Sequence, residues 1–365
     1  MRPAEPPPEE GAPGEGSPED APAPSEAEAE RAEAEEPEPV GTEPQGSAAP
    51  VEPIAPQQVE AETEEDGHPR VLEPAAAPPP GPSPEPGARA GRVVAIANQK
   101  GGVGKSTTAV NLGAALAELG QKVLVIDMDP QGNASTGLGI DPGDRGVGTY
   151  QVLSQGSPAT SAVHETAVEG VWAIPSTIDL AGAEIELVGQ FSREMRLVRA
   201  IEEMVPAYDF VFLDCPPSLG LLTVNALTAA DELMVPIQCE YYALEGLGQL
   251  LRNVRLVQQN LNPRLRLTGI VLTMYHSRTK LSEQVVDEVR RYFGNRVYDT
   301  IVPRTVRLSE APGYGKPITS YDARSKGAKA YRRLAREVLD RVAVEEPLPE
   351  EEPPAVVAVR RGEGA

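Results

Sequence analysis

Between residues 92 and 342 the chain alternates two kinds of pattern. Short, mostly β-branched apolar runs recur at Val93–Ala97, Val123–Ile126, Val171–Ile174, Phe210–Leu213, Leu233–Ile237, Ile270–Met274 and Val297–Val302. Several are continuous apolar runs rather than apolar/polar alternations, as strands buried on both faces require. The segments between them carry apolar residues at three- and four-residue spacing, the period of an amphipathic helix. Ala109, Leu112, Leu116 and Leu119 fall on one such face, and Gly120 ends that helix before the next strand. The alternation predicts an α/β fold: a doubly wound, mostly parallel sheet of seven to eight strands with helices on both faces. Ligands of such sheets bind at the carboxyl ends of the strands, so the loops leaving those ends are where chemistry is expected.

The pattern stops on either side. Residues 1–90 hold 22 of the 38 prolines, 22 Asp or Glu against 4 Lys or Arg, and few aliphatic residues to offset the entropy of ordering. They read as a disordered acidic tail, and residues 343–365, with 6 acids and 2 bases, as a second. A single nucleotide-binding domain is expected over 91–342. The net charge of −22 sits in the tails, because residues 91–342 keep 27 charges of each sign. It therefore says nothing against nucleic-acid binding by the domain, where only the clustering of bases matters. The role of the long acidic arm is left open between a solubilising spacer and a regulatory or partner-binding arm, the latter able to compete electrostatically for such a cluster.

Met1 to Glu10 carry no apolar segment of a secretory signal, and no stretch approaches ~18 uninterrupted apolar residues. A cytoplasmic protein is expected. Cys215 and Cys239, with three scattered histidines, give no zinc-binding constellation and read as core residues.

The candidate chemistry begins at Lys100-Gly101-Gly102-Val103-Gly104-Lys105-Ser106-Thr107-Thr108, between the first apolar run and the first helical pattern. Glycines let the backbone turn its N–H groups inward, the helix start adds positive potential, Lys105 faces the β- and γ-phosphates, and the Ser106 hydroxyl can ligate Mg²⁺. Nucleoside triphosphate binding, with ATP and Mg²⁺ as cofactors, is the expectation. The common pattern has Gly where this chain has Gln99, and a second lysine, Lys100, follows it. After the second run comes Asp127-Met128-Asp129-Pro130-Gln131-Gly132-Asn133, two carboxylates suited to holding the metal and to directing the attacking water. After Phe210–Leu213 comes Asp214-Cys215-Pro216-Pro217-Ser218, an apolar strand closed by a carboxylate, the Walker B pattern.

With Glu240-Tyr-Tyr-Ala-Leu-Glu-Gly-Leu and the stretch from Val302 through Arg307 and Tyr314 to Ile318, these motifs resemble the ParA/Soj partitioning ATPases over residues 92–342. The resemblance implies an ATP-dependent sandwich homodimer in which Lys100 crosses to the partner's nucleotide. It also implies that Asp129 directs the hydrolytic water, and that Lys105, Ser106, Asp127 and Asp214 serve phosphates and Mg²⁺. It further implies slow hydrolysis stimulated by a ParB-like centromere-binding partner. Non-specific double-stranded DNA would be bound through Arg278 and Arg307, in a protein associated with the nucleoid. Beside these, Lys326, Lys329, Arg332, Arg333 and Arg336 form a basic stripe opposite Ala328, Tyr331, Leu334, Val338 and Leu339. A stripe doubled in a dimer neutralises several phosphates at once. The alternative is a membrane-cycling, septum-positioning ATPase of the MinD type. Such relatives end in a basic amphipathic helix, whereas here the Glu/Pro-rich end offers only Arg360 and Arg361, so no membrane partner is expected.

Overall fold

In the computed structural model, residues 91–240 and 245–341 are described; the expected tails and residues 241–244 of the Glu240 motif lie outside them. Side chains alternate along each central strand between two apolar environments. Val93, Ala95, Leu124, Ile126, Val211 and Leu213 enter one core. Val94, Ile96, Val123, Val125, Phe210 and Phe212 enter the other. A sheet whose two faces are both apolar must be covered on both, which fixes the three-layer architecture.

The chain begins β1 (Arg92–Ile96), α1 (Lys105–Ala117), β2 (Val123–Asp127), α2 (Asn133–Gly137), β3 (His164–Glu165) and β4 (Val171–Ile174). It continues α3 (Leu180–Glu186), α4 (Arg196–Ile201), β5 (Phe210–Asp214), α5 (Leu221–Ala229), β6 (Glu232–Gln238) and α6 (Glu245–Asn260). It ends β7 (Arg266–Tyr275), α7 (Lys280–Phe293), β8 (Val297–Pro303), α8 (Val306–Glu310), α9 (Ile318–Tyr321) and α10 (Lys326–Asp340). The strands form one sheet in the order β3-β4-β2-β5-β1-β6-β7-β8. Every pairing is parallel except β3 with β4.

All seven expected strands are present. The eighth, β3, is two residues long and antiparallel at the edge, too short to leave a periodic signal. β7 starts four residues before the apolar run, at Arg266, because its first pairing is made by backbone alongside Glu232 and Leu233. Leu119 is the one misplaced helix position. It lies beyond the end of α1 and is 38% exposed, while Ala109, Leu112 and Leu116 are buried. The register sets Asp214 directly opposite Ile96 on one side and Asp127 on the other, so the carboxyl ends of β1, β2 and β5 converge.

Candidate nucleotide site

The loop from Ala97 to Gly104 is tied down at three points before α1 begins. Asn98 Nδ2 donates to the Pro236 carbonyl at 2.8 Å, the Lys100 amide donates to Asn98 Oδ1 at 3.0 Å, and Thr273 Oγ1 donates to the Val103 carbonyl at 2.8 Å. Gly102 and Gly104 have φ of 71° and 93°, a region that a Cβ disfavours. Gly104 caps α1 with no side chain, and no acid occupies its first turn. The first N–H groups of α1 therefore keep their affinity for an anion.

These groups face a cavity of about 440 Å³ whose walls include Gly101, Lys105, Ser106, Thr107, Asp129 and Pro217. Lys105 is 6% exposed and its Nζ donates to the Lys100 carbonyl at 3.4 Å. Burial lowers its pKa, and the nearby Asp214, Cys215 and Asp129 oppose that shift. Lys100 stands apart, 39% exposed at the side chain, with Nζ 3.5 Å from Glu240 Oε2.

The three carboxylates do different things. Asp127 is hydrogen-bonded on both oxygens: its Oδ2 accepts from Ser135 N and Oγ at 2.8 and 2.7 Å, and its Oδ1 from the Asp129 amide at 3.1 Å. It ties the following loop to the end of β2, directly beside Asp214. Burial pushes it up from 3.8 to about 6, against the lowering by Ser135. Asp129 Oδ1 accepts from Gln131 N at 3.0 Å and the side chain lines the cavity. Asp214 is fully buried, and among the described residues neither oxygen has a hydrogen-bond partner. Burial and then Asp127 drive its pKa well up, with Ser106 and Lys105 pulling it back. A buried carboxylate with two unsatisfied oxygens beside a lysine and a serine fits a divalent cation, which would supply the missing charge. Ser106 and Asp214 are the residues that would hold it.

The sign of the resulting pH dependence follows. A carboxyl whose folded pKa lies above its free value costs stability once ionised, so this cost is absent below about 3.8 and complete above about 6 for Asp127. Mg²⁺ binds the ionised form. Asp214, whose carboxyl is also raised by burial and by Asp127 beside it, must be ionised to take Mg²⁺, so the rise in melting temperature that Mg²⁺ gives the nucleotide-loaded protein should be larger at neutral than at acidic pH. An equal rise at both pH values would count against the carboxylates as the cation site.

Two features of the site have no local sequence signal. Arg145 is 5% exposed and clamps the loop after Asp129. Its Nη1 donates to the Ser176 carbonyl at 2.7 Å, and its Nη2 to Thr136 Oγ1 at 2.7 Å and the Gly132 carbonyl at 3.3 Å. A Cβ on Gly132 would lie 2.0 Å from Arg145 Nη1, so the glycine makes room for the guanidinium. The second feature is an adjoining cavity of about 260 Å³, walled by Met274, Val302, Pro303, Leu308, Pro312 and Tyr331 among others. Met274 has φ 52°, an unfavourable backbone for a non-glycine residue at a cavity wall.

The expected basic residues divide. Arg278 is exposed on the turn between β7 and α7, with no ion pair among the described residues. Arg307 on α8 is exposed but engaged, 3.1 Å from Glu310 and 3.8 Å from Asp322. On α10, Lys326, Lys329, Arg333 and Arg336 are exposed, and Ala328, Tyr331, Leu334 and Val338 are buried. Arg332 departs from the expected stripe, because Glu118 holds it through bonds of 2.5 and 2.8 Å. Cys215 and Cys239 are buried free thiols, as expected of core residues, with Cys239 pushed up to about 12. Among the described residues no helix is long and apolar enough to cross a membrane.

A parallel sheet, a glycine loop on a helix N-terminus and carboxylates at the neighbouring strand ends define a P-loop nucleotide-binding protein. A family model described as an AAA domain matches residues 91–267. The sporulation initiation inhibitor protein Soj of Bacillus subtilis is 57% identical over 248 residues, covering 68% of this chain and 98% of its own. The chromosome partitioning protein ParA of Myxococcus xanthus is 53% identical, covering 70% of this chain and 90% of its own. Among solved structures, a cobyrinic acid a,c-diamide synthase from Mycobacterium smegmatis with bound ADP and magnesium is 42% identical, with TM-score 0.61 over 68% of this chain and 94% of that one. The cell division ATPase MinD of Pyrococcus furiosus is 27% identical, with TM-score 0.57 over 68% of this chain and 98% of that one. The chain belongs to the Soj/ParA family of chromosome-partitioning ATPases.

Proposed function

We propose that this protein is an ATP-dependent DNA-segregation ATPase of the nucleoid, acting through residues 91–342 as one domain. ATP enters with its phosphates on the amides of Gly101 to Thr107 and on Lys105, and its base in the apolar chamber beside Met274 and Pro303. Bound Mg²⁺ would neutralise phosphate charge, with Ser106 and Asp214 as protein ligands and Asp127 keeping the adjoining loop in place. Asp129 orients the attacking water.

The observation that carries the dimeric part of this reading is the position of Lys100. Its ammonium leans outward to Glu240 and does not line its own cavity, whereas Lys105 is buried against it. A second cation held at the rim is suited to a neighbouring copy's phosphates, where it would couple hydrolysis to dimerisation as an arginine finger does. The dimer then presents Arg278, Arg307 and the α10 bases twice to non-specific DNA, and a ParB-like protein stimulates turnover.

DNA affinity measured against salt, with and without ATP, tests the proposal. Wild-type protein should bind appreciably only with ATP. Arg278→Glu should weaken binding by roughly tenfold or more and flatten the plot of log affinity against log salt, since two phosphate contacts are lost per dimer. Glu310→Gln, which removes the nearer of the two acids beside Arg307, should instead tighten binding a few-fold. ATP-independent binding, or an unchanged salt slope for Arg278→Glu, would reject this DNA surface.

A further inference from the structure

From Asp141 to Val147 the chain runs along the surface: Asp141, Pro142, Gly143, Asp144, Gly146 and Val147 are all exposed. Arg145 alone turns inward and is 5% exposed. Arginine is almost never buried without a carboxylate to meet its charge. Here the guanidinium has no ion pair among the described residues. Its bonds go to the carbonyls of Gly132, Ile140 and Ser176 and to the Thr136 hydroxyl.

Three of those acceptors lie on one stretch, from Gly132 to Ile140. That stretch and the turn before it wall the nucleotide cavity through Asp129, Gln131, Asn133, Thr136 and Gly137, whereas Arg145 does not line the cavity. The arginine therefore grips the wall from outside the space that it encloses.

The wall has little to hold its own shape. α2 is five residues long, and Gly132 before it, at φ 63°, supplies no side-chain cap. A helix far shorter than about 12 residues is not stable by itself. The turn ahead of α2 closes through the Gly132 amide, which donates to the Asp129 carbonyl at 2.9 Å. The Asp129 carboxylate accepts from Gln131 N inside the same turn. The direction in which Asp129 points is thus the direction of the turn, and two outside ties fix it. One is the bonding of Ser135 to Asp127, and the other is the bonding of Arg145 to Gly132 and Thr136. Ser176 joins the two ties: its amide donates to Ser135 Oγ at 3.1 Å, and its carbonyl accepts from Arg145 at 2.7 Å.

We propose that Arg145 is a positioning residue for ATP hydrolysis: by holding the Gly132 carbonyl and the Thr136 hydroxyl, it keeps the Asp129 carboxylate aimed at the attacking water. The proposal rests on the reading of Asp129 above and assigns the part of the task that a carboxylate on a short turn cannot perform alone. A guanidinium suits this role because its planar fork reaches several acceptors at fixed angles, which a lysine ammonium cannot match. The Arg145 bonds involve neither the phosphate loop nor Lys105, so they bear on the chemical step rather than on the affinity for ATP.

The test compares wild type, Asp129→Ala, Arg145→Met and Arg145→Lys. ATP turnover over a range of ATP concentrations, fluorescent-nucleotide titration and thermal melting are measured on each, with turnover read below every melting transition. Arg145→Met, which keeps an unbranched chain without donors, should lower kcat about tenfold or more, with KM and nucleotide affinity within about twofold of wild type. Arg145→Lys should retain more turnover than Arg145→Met. Should Arg145→Met fail to fold, Arg145→Lys alone decides, with kcat lowered about threefold or more at unchanged affinity. A brace that merely shapes the cavity would raise KM and weaken nucleotide binding in step with the fall in kcat, and that result would overturn the proposal. Wild-type kcat in the folded Arg145 variants, beside a slow Asp129→Ala, would overturn it while leaving Asp129 in its role. Asp129→Ala turning over like wild type would remove the reading of Asp129 and this proposal with it.

Discussion

Lys105→Ala loses nucleotide binding by a hundredfold or more, in order of magnitude, when titrated with a fluorescent ATP analogue. The ammonium is 6% exposed at the cavity wall, where water screens it little, and it is the buried cation among Asp129, Asp214 and the phosphate loop. A phosphate chain carrying several negative charges cannot sit beside Asp214 and Asp129 without it. Removing one charge from a buried, mutually compensating set costs about 3–5 kcal/mol, which is the basis of the expected loss. Lys105→Met is the companion variant, because it keeps the volume of the side chain and so separates lost charge from lost packing. Both variants should also lose the melting-temperature gain from ATP. Affinity within a few-fold of wild type in either would contradict the placement of phosphate on this loop.

Asp129→Ala keeps nucleotide and Mg²⁺ binding but loses turnover by about 10²-fold or more, the size expected when a positioned group that orients or accepts a proton is removed. Its carboxylate faces the cavity with one hydrogen bond from its own turn, at Gln131 N, whereas Asp127 spends both oxygens on Ser135 and on the Asp129 amide. Asp129 is therefore the member of the pair available to water. Since the groups that hold phosphate are untouched, the nucleotide-bound state should accumulate, and light scattering with ATP should report persistent dimers. Turnover near the wild-type rate would remove Asp129 from its role; loss of nucleotide affinity would move it into the binding set. Asp127→Asn is a useful contrast. It leaves one acceptor oxygen in place of two, so either the Ser135 bonds or the Asp129 amide bond is lost, and it should lower the melting temperature, an effect that Asp129→Ala lacks.

The phosphate loop, the carboxylate pair and the strand-closing Asp214 are contiguous motifs, and the seven apolar runs stand at strand positions. These depend on local backbone geometry and on burial of both strand faces, both of which are written in short stretches of residues. The chain order of the motifs likewise placed them at one end of one sheet. Other decisions needed the register of strands far apart in the chain. Only the pairing of β2 with β5 sets Asp127 beside Asp214, and only the packing of Ser135 against β2 decides that the Asp127 oxygens are hydrogen-bonded while, among the described residues, those of Asp214 are not. Arg145 reaches Ser176, thirty-one positions away, from a loop without motif or period. Arg332 has the spacing of a solvent-facing base, yet Glu118 captures it from 214 residues earlier. Periodicity records how a segment meets its nearest surface, whereas the partner of a long or charged side chain is chosen by the whole fold, through distances that sequence spacing does not encode.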